Sequence, residues 1–322
     1  MRLSIVIVAW NVRRQLADCL ESIGRYPPGG KFEVIVVDNA STDGTVEAVR
    51  RDFPWVTIFA NEQNRGFAAA NNRGLAVAQG EYLLLLNPDT IVHPHALETL
   101  CRFLQDHPDV DACGPRLLNK DGTLQPSAHG LPTFRASLHR HTIFRYFLVF
   151  RRQHRQWRMS SFPYDRQMDV DQLMGAALLL RRTALDQIGR LDERFFMYYE
   201  EVDLCHRLKQ AGRRTVFVPE ATITHLMGES SRQVPVATQI MMLDSLLRYL
   251  RKHRGRVAMS LFNCVFKPGV IAQWLWDFVT GVFQYLASWL IFDPARRRKS
   301  TAKVRKSAVL LGKHSWWLLF KA

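Results

Sequence analysis

Three acidic positions have the type and setting for chemistry. Asp38 closes an apolar run, Asp89 follows Pro88 at the close of another, and Glu200-Glu201-Val202-Asp203 opens a helical pattern just after an aromatic stretch. A carboxylate at the end of a strand can accept hydrogen bonds from a nucleotide base or ribose, the task open to Asp38. Pro88 fixes the turn before Asp89 and projects its carboxylate, an oxygen ligand of the hard kind that a divalent cation on a diphosphate requires. On a helix Glu200 and Asp203 share a face while Glu201 points about 100° away, so two adjacent acids can serve two tasks. Acids in a first helical turn also complement the helix dipole, a role with no chemistry in it.

The elements that must position these residues are legible in the pattern. Leu3 to Ala9 is a short Ile- and Val-rich run, suited to a strand buried on both faces. A helical pattern follows over Val12 to Ile23, and Tyr26-Pro27-Pro28-Gly29-Gly30 breaks it. Further strands are predicted over Phe32 to Val37, Val56 to Ala60 and Tyr82 to Leu86, with helices over Thr45 to Arg51 and after Asn64-Arg65-Gly66. This alternation implies a mostly parallel α/β sheet with right-handed crossovers, which binds ligands beyond the carboxyl ends of its strands. Those ends carry Asn11, Asp38, Asn61 and Asp89. Order is expected to return over Val170 to Arg181, followed by a helix to about Ile188, with later strands over Thr215 to Val218 and, separately, over Ile223 to His225.

Beyond this region the composition shifts twice. Gly122 to Tyr164 holds no Asp or Glu apart from its flanks, yet carries seven arginines from Arg135 to Arg158 among Phe134, Phe144, Tyr146 and Trp157. Such a segment reads as an acceptor-binding or membrane-facing insertion, or as a mobile basic loop. Val257 to Phe292 has only Lys267 and Asp277 as charges and is expected to break at Lys267-Pro268-Gly269. Basic clusters on both flanks oppose a single membrane span. The pattern favours two in-plane or re-entrant helices with interfacial Trp274, Trp276 and Trp289 over an ordinary buried pair. The net charge of +15 calls for an anionic partner. Five scattered cysteines without CxxC spacing oppose a disulfide framework or a zinc site and favour a reducing compartment. With no apolar signal-peptide core at the start, the expected location is the cytoplasmic face of the cell membrane, peripheral or monotopic.

Several runs together resemble family 2 glycosyltransferases of the rhamnosyltransferase-like kind. They are Ser4-Ile5-Val6-Ile7-Val8-Ala9-Trp10-Asn11, Val36-Val37-Asp38-Asn39-Ala40-Ser41-Thr42-Asp43-Gly44, Asn64-Arg65-Gly66-Phe67-Ala68-Ala69-Ala70-Asn71-Asn72 and Leu85-Leu86-Asn87-Pro88-Asp89. Met174-Gly175-Ala176, Phe196-Met197-Tyr198-Tyr199-Glu200-Glu201-Val202-Asp203-Leu204, and His225 before Gly228-Glu229-Ser230-Ser231 complete the set. The resemblance implies a GT-A fold over 1–235, with the basic insertion at about 122–164 and a membrane-associating helical region over 236–322. It implies base contact by Asp38 with Ala9 and Asn11 nearby, and Arg65 and Gly66 along the nucleotide. Asp89 would hold Mg²⁺ or Mn²⁺ with the donor diphosphate; Asn87 stands where the family's Asp-x-Asp motif has its first acid, leaving one carboxylate there. His225 matches a position that supplies a metal ligand in relatives, with a structural histidine as the plainer alternative. Glu201 matches the general base, with Glu200 a partner holding acceptor or loop. The reaction implied is inverting transfer of a hexose, rhamnose favoured, from a dTDP- or UDP-sugar to a lipid-linked glycan of a cell envelope, beside an anionic membrane surface.

Other readings fit less well. A Rossmann oxidoreductase or a nucleotidyltransferase needs a glycine-rich loop after the first strand, where Asn11-Val12-Arg13-Arg14 stands instead. A nucleic-acid-binding protein would account for the charge, but no zinc spacing, recognition helix or RNP-like strand accompanies it. A silent lipid-binding module would keep donor binding without needing the whole acidic set.

Overall fold

A computed structural model describes residues 2–227 and 233–320. The first four strands lie side by side and run the same way. They are β1 (Arg2–Ala9), β2 (Lys31–Asp38), β3 (Val56–Ala60) and β4 (Tyr82–Leu86), in the order β3-β2-β1-β4. Their registers bring Ala9 level with Asp38, and Asp38 level with Ala60. The alternating helices are α1 (Arg13–Arg25), α2 (Thr45–Asp52) and α3 (Phe67–Val77). β1, β2 and β4 are almost continuously apolar because helices cover both faces, as a parallel sheet requires.

The sheet then changes direction. β5 (Thr90–Val92), α4 (Ala96–Asp106), β6 (Val110–Leu118), β7 (Leu124–Gln125) and β8 (Ala128–His129) lead to β9 (Met168–Asp169), β10 (Gln172–Leu173) and β11 (Ala177–Arg181). β11 is antiparallel to both β4 and β6, so it joins the parallel half to the rest. After α7 (Arg182–Ile188) and α8 (Glu200–Gln210), β12 (Arg214–His225) runs parallel to β6 and antiparallel to β5. The two strands expected over 215–218 and 223–225 are therefore one. Its register against β6 shifts between Val218 and Thr222, so the segment holding Pro219, which has no N–H for the ladder, is absorbed as an irregularity.

The chain divides into two compact units, one of residues 1–131 and 161–233, the other of 132–160 and 234–322. The first holds the sheet. The second is helical: α5 (Phe134–His141), a 3₁₀ turn at Ile143–Arg145, α6 (Arg151–Trp157), α9 (Pro235–Arg254), α10 (Arg256–Leu290), α11 (Pro294–Val309) and α12 (Ser315–Phe320). The expected break at Lys267-Pro268-Gly269 is absent: α10 continues through Pro268. Proline removes one helical hydrogen bond and crowds the preceding turn, but packing supports the helix on either side. Gly269 lies so close to Thr142 that a Cβ would meet its side chain at 3.0 Å, and Lys267 Nζ donates to the Leu319 carbonyl at 3.1 Å. No helix among the described residues is long and apolar enough to cross a membrane.

Candidate active site

The carboxyl ends of β1, β2 and β4 gather the polar residues that the sequence singles out. Asp38 is buried; its Oδ2 accepts from the Ser41 amide at 3.0 Å, while its Oδ1 has no protein partner. An orphaned carboxylate oxygen in a buried position is costly unless a donor completes it. Asn11 crosses the same turn: its amide donates to Ser41 Oγ at 2.9 Å and its Oδ1 accepts from the Thr42 amide at 2.8 Å. Ala9, at the end of β1, accepts from the Asn39 amide through its carbonyl at 2.8 Å.

Asn39 then organises the loop before α3. Its side-chain amide donates to Asn64 Oδ1 at 2.8 Å and to the Gly66 carbonyl at 3.2 Å, and its Oδ1 accepts from the Arg65 amide at 3.0 Å. Arg65 is exposed and Gly66 buried. Gly66 sits at φ 84°, ψ 167°, a region essentially confined to glycine, and packs directly on the Phe196 carbonyl. That contact ties the Arg65-Gly66 loop to the segment leading into α8.

Asp89 and His225 converge from β4 and β12. His225 Nε2 lies 3.3 Å from Asp89 Oδ1, both groups largely buried, and Asn87 Nδ2 stands 3.4 Å from the same nitrogen. The other face of the ring sets the tautomer. Gln125 Nε2 donates to Asn119 Oδ1 at 2.9 Å and to the His225 carbonyl at 3.1 Å, so Gln125 Oε1 must be the acceptor for His225 Nδ1, 2.7 Å away. With the proton on Nδ1, the Nε2 lone pair faces the Asp89 carboxylate. Two acceptors at this distance need a proton or a cation between them. The pair therefore fits a divalent ion completed by diphosphate oxygens and water. Among the described residues no group of three or more His, Cys, Asp or Glu forms a metal cluster by itself, so Asp89 and His225 would hold such an ion only together with donor oxygens or water. Gln125 carries no sequence signal; it arrives from β7, 100 residues from His225.

Glu200 and Glu201 begin α8 after Tyr198 and Tyr199, which both have φ of 70°. Two consecutive left-handed non-glycine residues cost of order 1–3 kcal/mol each, a strain that marks functional sites. Burial first, then the neighbouring Glu201 charge, raise the Glu200 carboxyl well above the usual range. Burial also raises Glu201, but backbone amides of Glu201, Val202, Gly175 and Tyr199 oppose it by donating to the ionised form. One oxygen of each, Oε2, has no protein partner. Both adjacent carboxyls are thus raised, but by different balances: the Glu201 charge adds to the rise of Glu200, whereas backbone amides oppose the rise of Glu201. Gly175 fits tightly: a Cβ there would lie 3.3 Å from Glu201 Cβ and Cγ. The next residue, Ala176, takes the Asn87 amide on its carbonyl at 2.9 Å, linking the Glu201 and Asp89 loops. Asp203 belongs elsewhere, fully buried in an ion pair with Arg207 at 2.8 Å. The run Gly228-Glu229-Ser230-Ser231 lies outside the described residues.

The family model described as Glycosyl transferase family 2 matches residues 4–168, which run from within β1 to the start of β9 and contain the Asp38, Gly66 and Asp89 loops. The chain belongs to this family. Among curated relatives, the N-acetylglucosaminyl-diphospho-decaprenol L-rhamnosyltransferase of Mycobacterium tuberculosis is 33% identical over 219 residues, covering 63% of this chain and 69% of that protein. The low-salt glycan biosynthesis hexosyltransferase of Haloferax volcanii is 25% identical over 214 residues, covering 65% and 62%. A solved mannosyltransferase of Pyrobaculum calidifontis, in complex with GDP-Man and Mn²⁺, superimposes with a TM-score of 0.54 at 18% identity, covering 96% of this chain and 86% of the other. That likeness shows the fold. This family 2 glycosyltransferase therefore has the GT-A architecture, a mostly parallel sheet flanked by helices, and is rhamnosyltransferase-like in sequence.

Proposed function

We propose that this glycosyltransferase transfers rhamnose, with inversion, from dTDP-rhamnose to a lipid-linked glycan of a cell envelope, other UDP- or dTDP-hexoses being the alternative donors. The observation that carries the reading is the Glu200–Glu201 pair at the strained start of α8, two adjacent buried carboxyls each with one oxygen that has no protein partner, Glu201 being the one that several backbone amides support in its ionised form. The similarity to a rhamnosyltransferase whose name specifies a diphospho-decaprenol acceptor supports the choice of sugar and acceptor.

In this reading Asp38 Oδ1 accepts from the donor base or ribose, Ala9 and Asn11 flank it, and Arg65 and Gly66 lie along the nucleotide. Glu201 Oε2 takes the proton of the acceptor hydroxyl. The hydroxyl oxygen bonds to the anomeric carbon from the face opposite the leaving group. The bond from that carbon to the diphosphate oxygen breaks, its electron pair leaving with the nucleoside diphosphate. Glu200, whose carboxyl burial and the Glu201 charge raise well above the usual range, holds acceptor or loop. Asp89 and His225 would hold a divalent ion, Mg²⁺ or Mn²⁺, which when bound neutralises charge on the departing diphosphate.

The working place proposed is the cytoplasmic face of the cell membrane. α10 and α12 expose Leu261, Phe283, Leu290, Trp316 and Phe320, while the adjoining α11 carries Arg296, Arg297, Arg298 and Lys299, an apolar and basic combination suited to an anionic interface. The test of function is donor binding and slow hydrolysis across UDP-, GDP- and dTDP-sugars with and without Mg²⁺ or Mn²⁺. Preference for dTDP-rhamnose that strengthens with metal is expected; silence of the folded protein across the panel would sink the reading. Flotation with phosphatidylglycerol vesicles tests the location, and failure to float would remove the membrane from it.

A further inference from the structure

The helical unit contains a cavity of about 480 Å³, within the size range of ligand sites. Its charge is one-sided. Arg140, Arg145, Arg158 and Lys306 line it, together with His139, His141 and His154, against one carboxylate, Asp277. Asp277 is already engaged: it accepts from Tyr146 Oη at 3.1 Å and Gln273 Nε2 at 2.8 Å, and Lys303 Nζ lies at 3.5 Å. Arg145 and Arg158 make no ion pair among the described residues, and neither does Lys306. Packing holds the cationic wall in place: Arg140 lies over the Trp157 ring at 4.7 Å and Arg145 over the Tyr146 ring at 5.7 Å.

The histidines are arranged as donors in waiting. His139 Nδ1 donates to the Val149 carbonyl at 2.6 Å, and its ring lies tilted against that of His154, centroids 4.8 Å apart. His141 Nε2 is buried with no protein partner. Burial and then the nearby cationic groups hold His154 down to about 4 and His141 well below its ordinary value. Cations that repel one another around one cavity are unfavourable, and their repulsion, after burial, keeps charge off His141 and His154. A polyanion would reverse both terms, since guanidinium groups and histidine N–H donors match phosphoryl oxygens in charge-assisted hydrogen bonds.

We propose that this cavity is a binding site for a diphosphate group. Its source is assigned to the diphosphate of a lipid-linked acceptor, an assignment that rests on the transferase reading; the anion chemistry itself does not. A soluble inorganic diphosphate shares that chemistry, so the experiment separates the two.

The test is calorimetric titration of the full chain with inorganic pyrophosphate in EDTA, for wild type, for Arg145→Gln/Arg158→Gln, and for Arg25→Gln/Lys120→Gln, both exposed, as a surface control of equal charge loss. Removing repelling cations should not unfold the protein, and circular dichroism confirms that. The cavity variant should bind about tenfold or more weakly, and the control like wild type. Equal weakening of both variants, or no difference from wild type, overturns the site. A second arm measures flotation with neutral phosphatidylcholine vesicles with and without a polyprenyl diphosphate. Flotation that depends on the diphosphate lipid and on Arg145 and Arg158 supports the lipid source; binding of pyrophosphate alone refutes that source. Donor hydrolysis on the same samples keeps the two ideas apart. A wild type that hydrolyses donor but does not bind pyrophosphate defeats the cavity and leaves the transferase reading standing, whereas a hydrolysis-silent wild type that still binds pyrophosphate defeats the transferase reading and leaves the cavity standing.

Discussion

Gly66→Ala is expected to damage both stability and turnover through one contact. A Cβ on Gly66 would lie 2.4 Å from the Phe196 carbonyl oxygen and 2.8 Å from Phe196 Cδ2. Restoring van der Waals separation from the oxygen requires a movement of about 1 Å. The oxygen cannot retreat freely, because it accepts from the Phe67 amide at 2.6 Å. The backbone at φ 84°, ψ 167° adds a strain of about 1–3 kcal/mol, and overpacking adds about 1–3 more. Gly122→Ala provides the matched control: φ is 81°, but nothing lies within 4 Å of the new Cβ, so only backbone strain of about 1–2 kcal/mol applies. Urea unfolding at constant m should therefore place Gly66→Ala about 1–3 kcal/mol below Gly122→Ala, a large fraction of the ~5–15 kcal/mol that holds a typical protein folded. Phe196 leads through Tyr198 and Tyr199 to Glu200 and Glu201, so its displacement should also lower kcat of transfer, by up to about 100-fold for 1 Å at the base. Equal destabilisation of the two variants would refute the clash, and normal kcat in Gly66→Ala would refute the coupling of this loop to α8.

Three further outcomes are expected. Glu201→Gln retains donor binding and loses transfer; unchanged turnover removes Glu201 as the base. Asp89→Ala weakens donor binding only in the presence of Mg²⁺ or Mn²⁺, and Gln125→Leu does the same more mildly by releasing the His225 tautomer; a metal response identical to wild type in both variants contradicts the proposed ligand pair. Because the folded protein raises the Glu200 carboxyl, the native state holds a proton that the unfolded chain releases above its ordinary range near ~4.3. Stability from this group is full below that range and falls as pH rises towards the raised value, with a limiting slope of about 1.4 kcal/mol per pH unit. Glu200→Gln removes the slope, so its unfolding midpoint should gain on wild type between pH 5 and pH 7.5, and a constant difference would show that Glu200 is not raised.

Local pattern made the parallel half of the sheet readable. Apolar runs of strand length lie between turn residues, and the side chains at their ends fall at one edge whatever the rest of the chain does. Val56 to Ala60 and Tyr82 to Leu86 coincide with β3 and β4 for that reason, and Asp38 and Asp89 occupy the ends expected of them. The Glu200-Glu201 start of α8 was readable too, since a first turn announces itself by its acids. Reasoning from single breaks failed where packing overrules propensity. Pro268 stays inside α10 because neighbouring helices support the turns around it, and Pro219 stays inside β12 because a shift of register absorbs it.

What only the tertiary structure decided is everything that depends on residues far apart in the chain. The sequence contains Asp89 and His225, but the antiparallel pairing of β5 with β12 is what brings His225 level with Thr90, next to Asp89. Gln125, which sets the histidine's tautomer, has no signature because an amide acquires that role only from the two acceptors around it. Glu200 and Glu201 are identical side chains one position apart, and no local rule distinguishes them. Desolvation and the direction of four backbone amides do, and both are properties of the assembled fold. The same holds for the arginines of the insertion. As a sequence they are a charge run, and folding with α9, α10 and α11 is what turns them into the wall of a cavity. Charge and residue type are inherited from the sequence, but proton affinity and ligand geometry arise from burial and from distance, which exist only once the chain has closed on itself.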